Sequence, residues 1–96
     1  MASCRSSGVL TSSAVVSAER CKLISIHVMN TGAGSVTTVR VFDNIAASGK
    51  ELARVILEPN SPAIEFDMHG VIASNGLYLD ISTGAGTGAA VSVEFS

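Results

Sequence analysis

The chain has 96 residues, of which 47% are apolar and 15% are charged, and its net charge is -2. These values indicate one domain with enough apolar side chains for a core. They exclude a basic nucleic-acid-binding protein, a disordered acidic chain and a disulfide-dense miniprotein. Charged residues are scarcer than the usual ~25%, so much of the surface is weakly polar. We expect oligomerisation or docking onto a larger assembly to cover that surface. The alternative is a monomer whose surface consists largely of Ser, Thr and Gly.

Apolar side chains recur at every second position in the first half of the chain, which predicts β-strands rather than helices. The predicted strands of this half cover residues 9–17 (the weakest), 21–30, 36–43 and 51–58. The glycine-containing segment 31–35 predicts a hairpin between the second and third of these. Residues 51–58 also fit a short helix, but the β-branched pair Val55-Ile56 and the closing Pro59 favour a strand.

The second half has the same two-residue period, and its predicted strands cover 63–68, 71–73, 77–82 and 89–95. Gly70 is expected to interrupt the strand pattern between residues 63–68 and 71–73. Asn75-Gly76 is a strong hairpin signal. The glycine-rich stretch 84–88 predicts a flexible loop. We therefore predict an all-β fold of seven or eight short strands, which indicates a sandwich or a barrel. A flexible N-terminal segment over residues 1–8 precedes a single sandwich domain over 9–96.

The strand predicted over 21–30 has a strongly apolar face and a second, mixed face, and the other main strands also gather apolar side chains on one face. The apolar faces predict a core of Ile24, Ile26, Val28, Val39, Val41, Leu79, Ile81, Val91 and Val93. The mixed faces hold side chains that look too apolar for free solvent, next to one histidine and one arginine. We expect some of them to meet another subunit, and the candidate interface is Leu23, His27, Met29, Arg40, Phe42 and Tyr78.

The sequence contains no complete motif for catalysis or for ligand binding. Residues 84–89 fit the glycine pattern of a dinucleotide site, but a predicted strand follows them where the mechanism needs a helix. His27 and His69 lie on separate elements without metal-ligand spacing. Glu65 and Asp67 share one strand face, as expected for the wet side of a sheet. We expect no enzyme activity, no catalytic or cofactor-binding residues, no metal and no nucleic-acid partner.

The sequence also bears on where the chain folds. No apolar stretch is long enough for a membrane span or a secretory signal, so we expect no membrane association and folding in a cytoplasm. In that reducing compartment Cys4 and Cys21 are expected to be free thiols rather than a disulfide.

Several runs of strand and turn residues together resemble small all-β virion proteins of tailed bacteriophages, especially marine and cyanobacterial phages. The runs are 24–28 with Asn30-Thr31-Gly32, 39–44 with 47–50, and Gly70-Val71 with 75–82. The resemblance implies a seven- to eight-stranded antiparallel β-sandwich that is jelly-roll-like. It implies a non-enzymatic structural protein that decorates or cements the capsid through contacts with the major capsid protein or other virion proteins. It also implies location in the virion after assembly in the host cytoplasm, and we expect a homotrimer. A host-attachment or glycan-binding module and a tail adaptor are the alternatives.

Overall fold

Eight β-strands and no helix make up residues 4–30, 36–83 and 89–96, which the computed structural model describes. The strands are β1 (Arg5–Ser6), β2 (Ala14–Ser17), β3 (Cys21–Asn30), β4 (Thr37–Asp43), β5 (Lys50–Leu57), β6 (Ser61–Ala73), β7 (Leu77–Thr83) and β8 (Ala89–Phe95). They form two four-stranded sheets: the first sheet has the order β1-β8-β3-β6 and the second sheet β2-β7-β4-β5. All pairings are antiparallel, so the predicted all-β sandwich is confirmed. Over these residues there is no helix that could cross a membrane.

The strands pair from the two ends of the chain towards its middle. β1 pairs with β8, β2 with β7, β3 with β6 and β4 with β5, so the chain is folded in half at the connection between β4 and β5. Two further pairings, β3 with β8 and β4 with β7, join these pairs into two sheets. An eight-stranded double sheet wound in this way has the topology of a jelly roll.

The turns were predicted less well than the strands. The segment 31–35 lies outside the described residues, but the strands on either side of it, β3 and β4, belong to different sheets. Likewise Asn75-Gly76 joins β6 of the first sheet to β7 of the second. The hairpin interpretation was therefore wrong at both places. Among the described strands, only β4 and β5 are consecutive neighbours in one sheet, because turn residues favour chain reversal without selecting the sheet that receives the next strand.

The predicted break at Gly70 is also wrong, because β6 runs without interruption from Ser61 to Ala73. The strand contains a bulge instead. Its pairing with β3 passes from Asp67 directly to Val71, and both His69 (φ 56°) and Gly70 (φ 77°) adopt left-handed backbone angles. Glycine adopts such angles without steric cost, so it permits an irregularity inside a strand as readily as a strand end.

A second bulge, in β3, changes which of its residues face the core. Relative to β8, Ile24 is an extra residue, because Leu23 pairs with Phe95 while Ser25 already pairs with Glu94. The extra residue breaks the normal alternation, so Leu23 and Ser25 face opposite sides of the sheet: Leu23 lies with Phe95 on the core side, and Ser25 contacts Glu94 on the outer side. Leu23 is therefore fully buried and Ile24 only half-buried, the reverse of the prediction.

The core lies between the two sheets and includes most of the residues predicted for it. Seven of them are buried: Ile26, Val28, Val39, Val41, Leu79, Val91 and Val93. Ile24 and Ile81 are partly buried. Leu57, Leu77, Ala73 and Phe95 complete the core with Leu23 and Cys21.

Part of the segment for which the sequence predicts flexibility is paired with the sandwich. Arg5 lies opposite Phe95 and Ser6 opposite Glu94, which makes β1 the outermost strand of the first sheet. The guanidinium of Arg5 lies 4.8 Å from the centre of the Phe95 ring. Residues 1–3 lie outside the described part of the chain.

Candidate interaction surface

The six candidate interface residues do not form one surface. His27 and Met29 lie on the outer face of the first sheet, and three others lie on the outer face of the second sheet, on the opposite side of the sandwich. The three are Arg40, Phe42 and Tyr78. Leu23 was wrongly assigned, because the bulge at Ile24 turns it into the core, where it has no exposed surface.

On the outer face of the second sheet, the chain's own side chains already cover Phe42. The ring is only 5% exposed, it lies between Tyr78 and Glu51 on the neighbouring strands, and the Arg40 guanidinium lies 5.2 Å from its centre. Arg40 also donates to Asp80 Oδ2 through Nε at 3.0 Å and Nη2 at 2.7 Å. Phe42 therefore needs no partner to leave water, and its assignment to an intersubunit interface is corrected.

His27 is at the centre of the outer face of the first sheet. Ser92 of β8 and Glu65 of β6 flank it in register, and Glu94 lies two residues beyond Ser92 on the same face of β8. Its Nε2 atom is 3.0 Å from Glu94 Oε1 and 3.7 Å from Glu65 Oε2. The three side chains come from distant parts of the chain, so no sequence spacing could have shown that they meet.

Hydrogen bonds hold Glu94 in its ionised form. The Ser25 hydroxyl donates to Glu94 Oε1, and His27 Nε2 contacts the same oxygen. These two contacts, that of Ser25 first, lower the pKa of Glu94 below its ordinary value, because both favour the carboxylate over the acid.

An open groove of about 170 Å³ adjoins this cluster. Met29 forms part of its lining together with Val9, Ala63 and Ala90, and His27 stands at its polar end. Val9 is 73% exposed, so the groove presents apolar side chains to solvent. Thus His27 and Met29, the two candidates on this sheet, do line one shared surface feature.

The largest group of exposed apolar side chains lies on β6, which is the last strand of the first sheet. We call it the β6 edge, and its members are Ile64, Phe66, Val71 and Ile72. Ile64 and Phe66 lie opposite Val28 and Ile26, so they share the side of the sheet that faces the core. They are nevertheless 39% and 36% exposed. The second sheet therefore leaves this end of the sandwich incompletely covered.

The sequence contained a signal for this edge that the candidate interface did not use. Ile64, Phe66 and Met68 alternate with Glu65 and Asp67, which identifies an apolar face but not whether another sheet covers it. Comparison with known proteins adds no constraint: no family model, curated protein or solved structure matches the chain.

Proposed function

We propose that the chain is a non-enzymatic structural protein of a phage particle, held to neighbouring virion proteins, above all the major capsid protein, through the β6 edge. The observation that supports the docking is the exposure of Ile64 and Phe66 on the side of the sheet that faces the core. Large apolar side chains grouped on one strand mark a surface that a partner covers. The virion assignment itself rests on the resemblance of the strand and turn pattern to phage structural proteins.

A strand from the partner fits this edge better than a flat surface does. Because β6 pairs with β3 on one side only, its other side offers backbone groups for a further strand. Pro62 cannot donate a hydrogen bond, and the bulge at His69 and Gly70 interrupts the regular pairing. The available segment is therefore 63–67, where apolar Ile64 and Phe66 alternate with acidic Glu65 and Asp67.

Charge argues against β6 of a second copy as that strand. A two-fold axis through residue 65, 66 or 67 sets Glu65 against itself, Glu65 against Asp67, or Asp67 against itself, respectively. Like charges directly opposite each other destabilise a strand pair. The partner strand should instead alternate apolar residues with Lys or Arg. A homotrimer is compatible with this restriction, because a three-fold contact joins two different surfaces of the chain.

Occupancy in the particle tests the proposal. Particles that lack the protein are reconstituted with wild-type chain, with Ile64→Lys, or with Val15→Lys as the control, since Val15 is exposed on β2 at the far edge of the second sheet. We expect many copies per particle for wild type and for Val15→Lys. Ile64→Lys should lower occupancy at subsaturating protein by about tenfold or more, which corresponds to roughly 1.4 kcal/mol.

The other outcomes separate the alternatives. A few copies per particle would indicate an attachment module or a tail adaptor, and absence of the wild-type chain from the particle would overturn the virion assignment. Equal occupancy of Ile64→Lys and Val15→Lys would overturn the β6 edge as the docking surface while leaving the virion assignment intact.

A further inference from the structure

We propose that His27, Glu65 and Glu94 form a binding site for a divalent transition-metal ion on the outer face of the first sheet. One ligand atom from each residue, the imidazole Nε2 and one carboxylate oxygen from each glutamate, lies within 4.8 Å of the other two. The proposal does not depend on the phage assignment, because all three residues belong to one chain.

The spacing of these atoms suits a small ion with short bonds. Bonds of about 2.0–2.2 Å to zinc at tetrahedral angles place neighbouring ligand atoms about 3.4 Å apart. The observed distances from His27 Nε2 are 3.0 Å to Glu94 and 3.7 Å to Glu65. These two distances bracket the tetrahedral value, so rotation of partly exposed side chains is enough to complete the site.

The donor set selects the class of ion. Imidazole nitrogen is a good ligand for zinc, copper, nickel and iron, whereas magnesium and calcium take oxygen ligands. Two carboxylates supply negative charge to balance a divalent cation. Without an ion, Glu65 and Glu94 both face His27, so an ion bound there would also screen the two glutamates from each other.

The backbone holds the ligands on three adjacent strands, since Glu94 lies on β8, His27 on the central β3 and Glu65 on β6. Ser25 donates a hydrogen bond to Glu94, as residues that orient metal ligands commonly do. A site on paired strands is better ordered than one on loops.

The site is open on its outer side. The side chains of His27, Glu94 and Glu65 are 41%, 38% and 62% exposed, which leaves at least one coordination position for water or for a residue of a bound partner. Three protein ligands and one open position are typical of zinc sites that exchange their fourth ligand. His27 also lines the apolar groove, so the groove adjoins the site.

Zinc titration by calorimetry tests the site, with Cys4→Ser as the background, because Cys4 is an exposed thiol and thiolates are zinc ligands. We expect one ion per chain, with affinity reduced about tenfold or more in His27→Gln and in Glu94→Gln. The matched control is His69→Gln, because His69 is 84% exposed and lies 3.5 Å from Asp67 in the same way that His27 lies near its glutamates. That variant should bind as the background does.

Two results would overturn the proposal. One is the absence of zinc binding by the background protein, and the other is an equal loss in His27→Gln and His69→Gln, which would show general binding to surface histidines. Circular dichroism of each variant confirms the fold. Cobalt(II) supplies a second readout, because the visible absorption of a four-coordinate site should appear in the background protein and be lost in His27→Gln.

Discussion

β8 and β6 flank the same strand, β3, yet their core-facing side chains end in different environments. Val91 and Val93 of β8 have no exposed surface, whereas Ile64 and Phe66 of β6 are more than one third exposed. Both strands alternate apolar and polar residues with the same period. The difference is that β8 has a neighbour on each side, while β6 ends its sheet and is incompletely covered by the other. The alternation of apolar and polar residues thus shows which face of a strand is apolar, but the surrounding strands determine whether that face is buried.

Ile26 and Phe66 lie directly opposite each other on β3 and β6, so truncating each of them measures this difference. Ile26→Ala should lower the free energy of unfolding by about 2–5 kcal/mol, because Ile26 has no exposed surface and its truncation leaves a cavity. Phe66→Ala should cost only about 1–2 kcal/mol despite its larger side chain, because part of the ring is already in water. Urea unfolding measures both values, and equal costs would show that Phe66 is covered in solution.

The end of β6 is buried at Ala73, in contrast to its exposed middle, and a closely packed glycine follows it. Gly76 joins β6 to β7 with φ 131°, and a Cβ atom there would lie 2.8 Å from the Ser17 carbonyl oxygen. Gly8 also has a positive φ, 74°, but open space around it. We expect Gly8→Ala to cost about 1–2 kcal/mol from backbone strain. Gly76→Ala should cost at least about 1 kcal/mol more, because the backbone must also move. Thermal unfolding that gives equal losses would contradict the close contact.

Acid unfolding probes the outer side of β8. Because the pKa of Glu94 is lowered in the folded state by Ser25 and His27, its carboxylate stabilises the fold at neutral pH. That contribution should be lost as the pH falls from the ordinary value of 4.5 through the lowered one. The stability difference between wild type and Glu94→Gln should therefore shrink in that range. Glu58→Gln, at an exposed carboxylate, is the control, and a difference that grows on acidification would contradict the assignment.

The reaction rates of the two cysteine thiols should show the contrast between buried and exposed positions in the unmodified sequence. Cys4 is exposed, whereas Cys21 is buried at the start of β3, and burial raises the pKa of its thiol despite an opposing hydrogen bond with Ser17. A thiol reagent should modify Cys4 rapidly and Cys21 only after denaturation. Two fast-reacting thiols in native protein would show that the start of β3 opens readily.

The sequence was sufficient to predict the fold class, because a two-residue period persists through the chain and only residues 51–58 also fit a short helix, where the β-branched pair favoured the strand that is observed. It was insufficient at β3, where one extra residue, Ile24, exchanges the roles of Leu23 and Ile24. An extra residue in a strand leaves no mark in composition. Its effect appears only when the neighbouring strand fixes the register.

The candidate surfaces were predictable only in part, for a related reason. His27 was identified from its mixed strand face, but Glu65 and Glu94 meet it through pairings with β6 and β8 that no local pattern specifies. Phe42 was judged too apolar for solvent, and this judgement did not account for cover by Arg40 and Tyr78 of the same chain. Contacts between side chains distant in sequence require the topology first.

The end-to-middle pairing of the strands has a consequence for how the chain folds. The β4–β5 hairpin is the most local pairing, whereas joining β1 to β8 brings Arg5 opposite Phe95. Loop-closure entropy opposes distant contacts until nearer ones have shortened the intervening chain. Folding should therefore begin at the central hairpin and proceed outwards to the termini, on a timescale of roughly milliseconds to seconds. On the ribosome, the second sheet can be completed once β7 has left the exit tunnel, whereas the first sheet has to wait for β8.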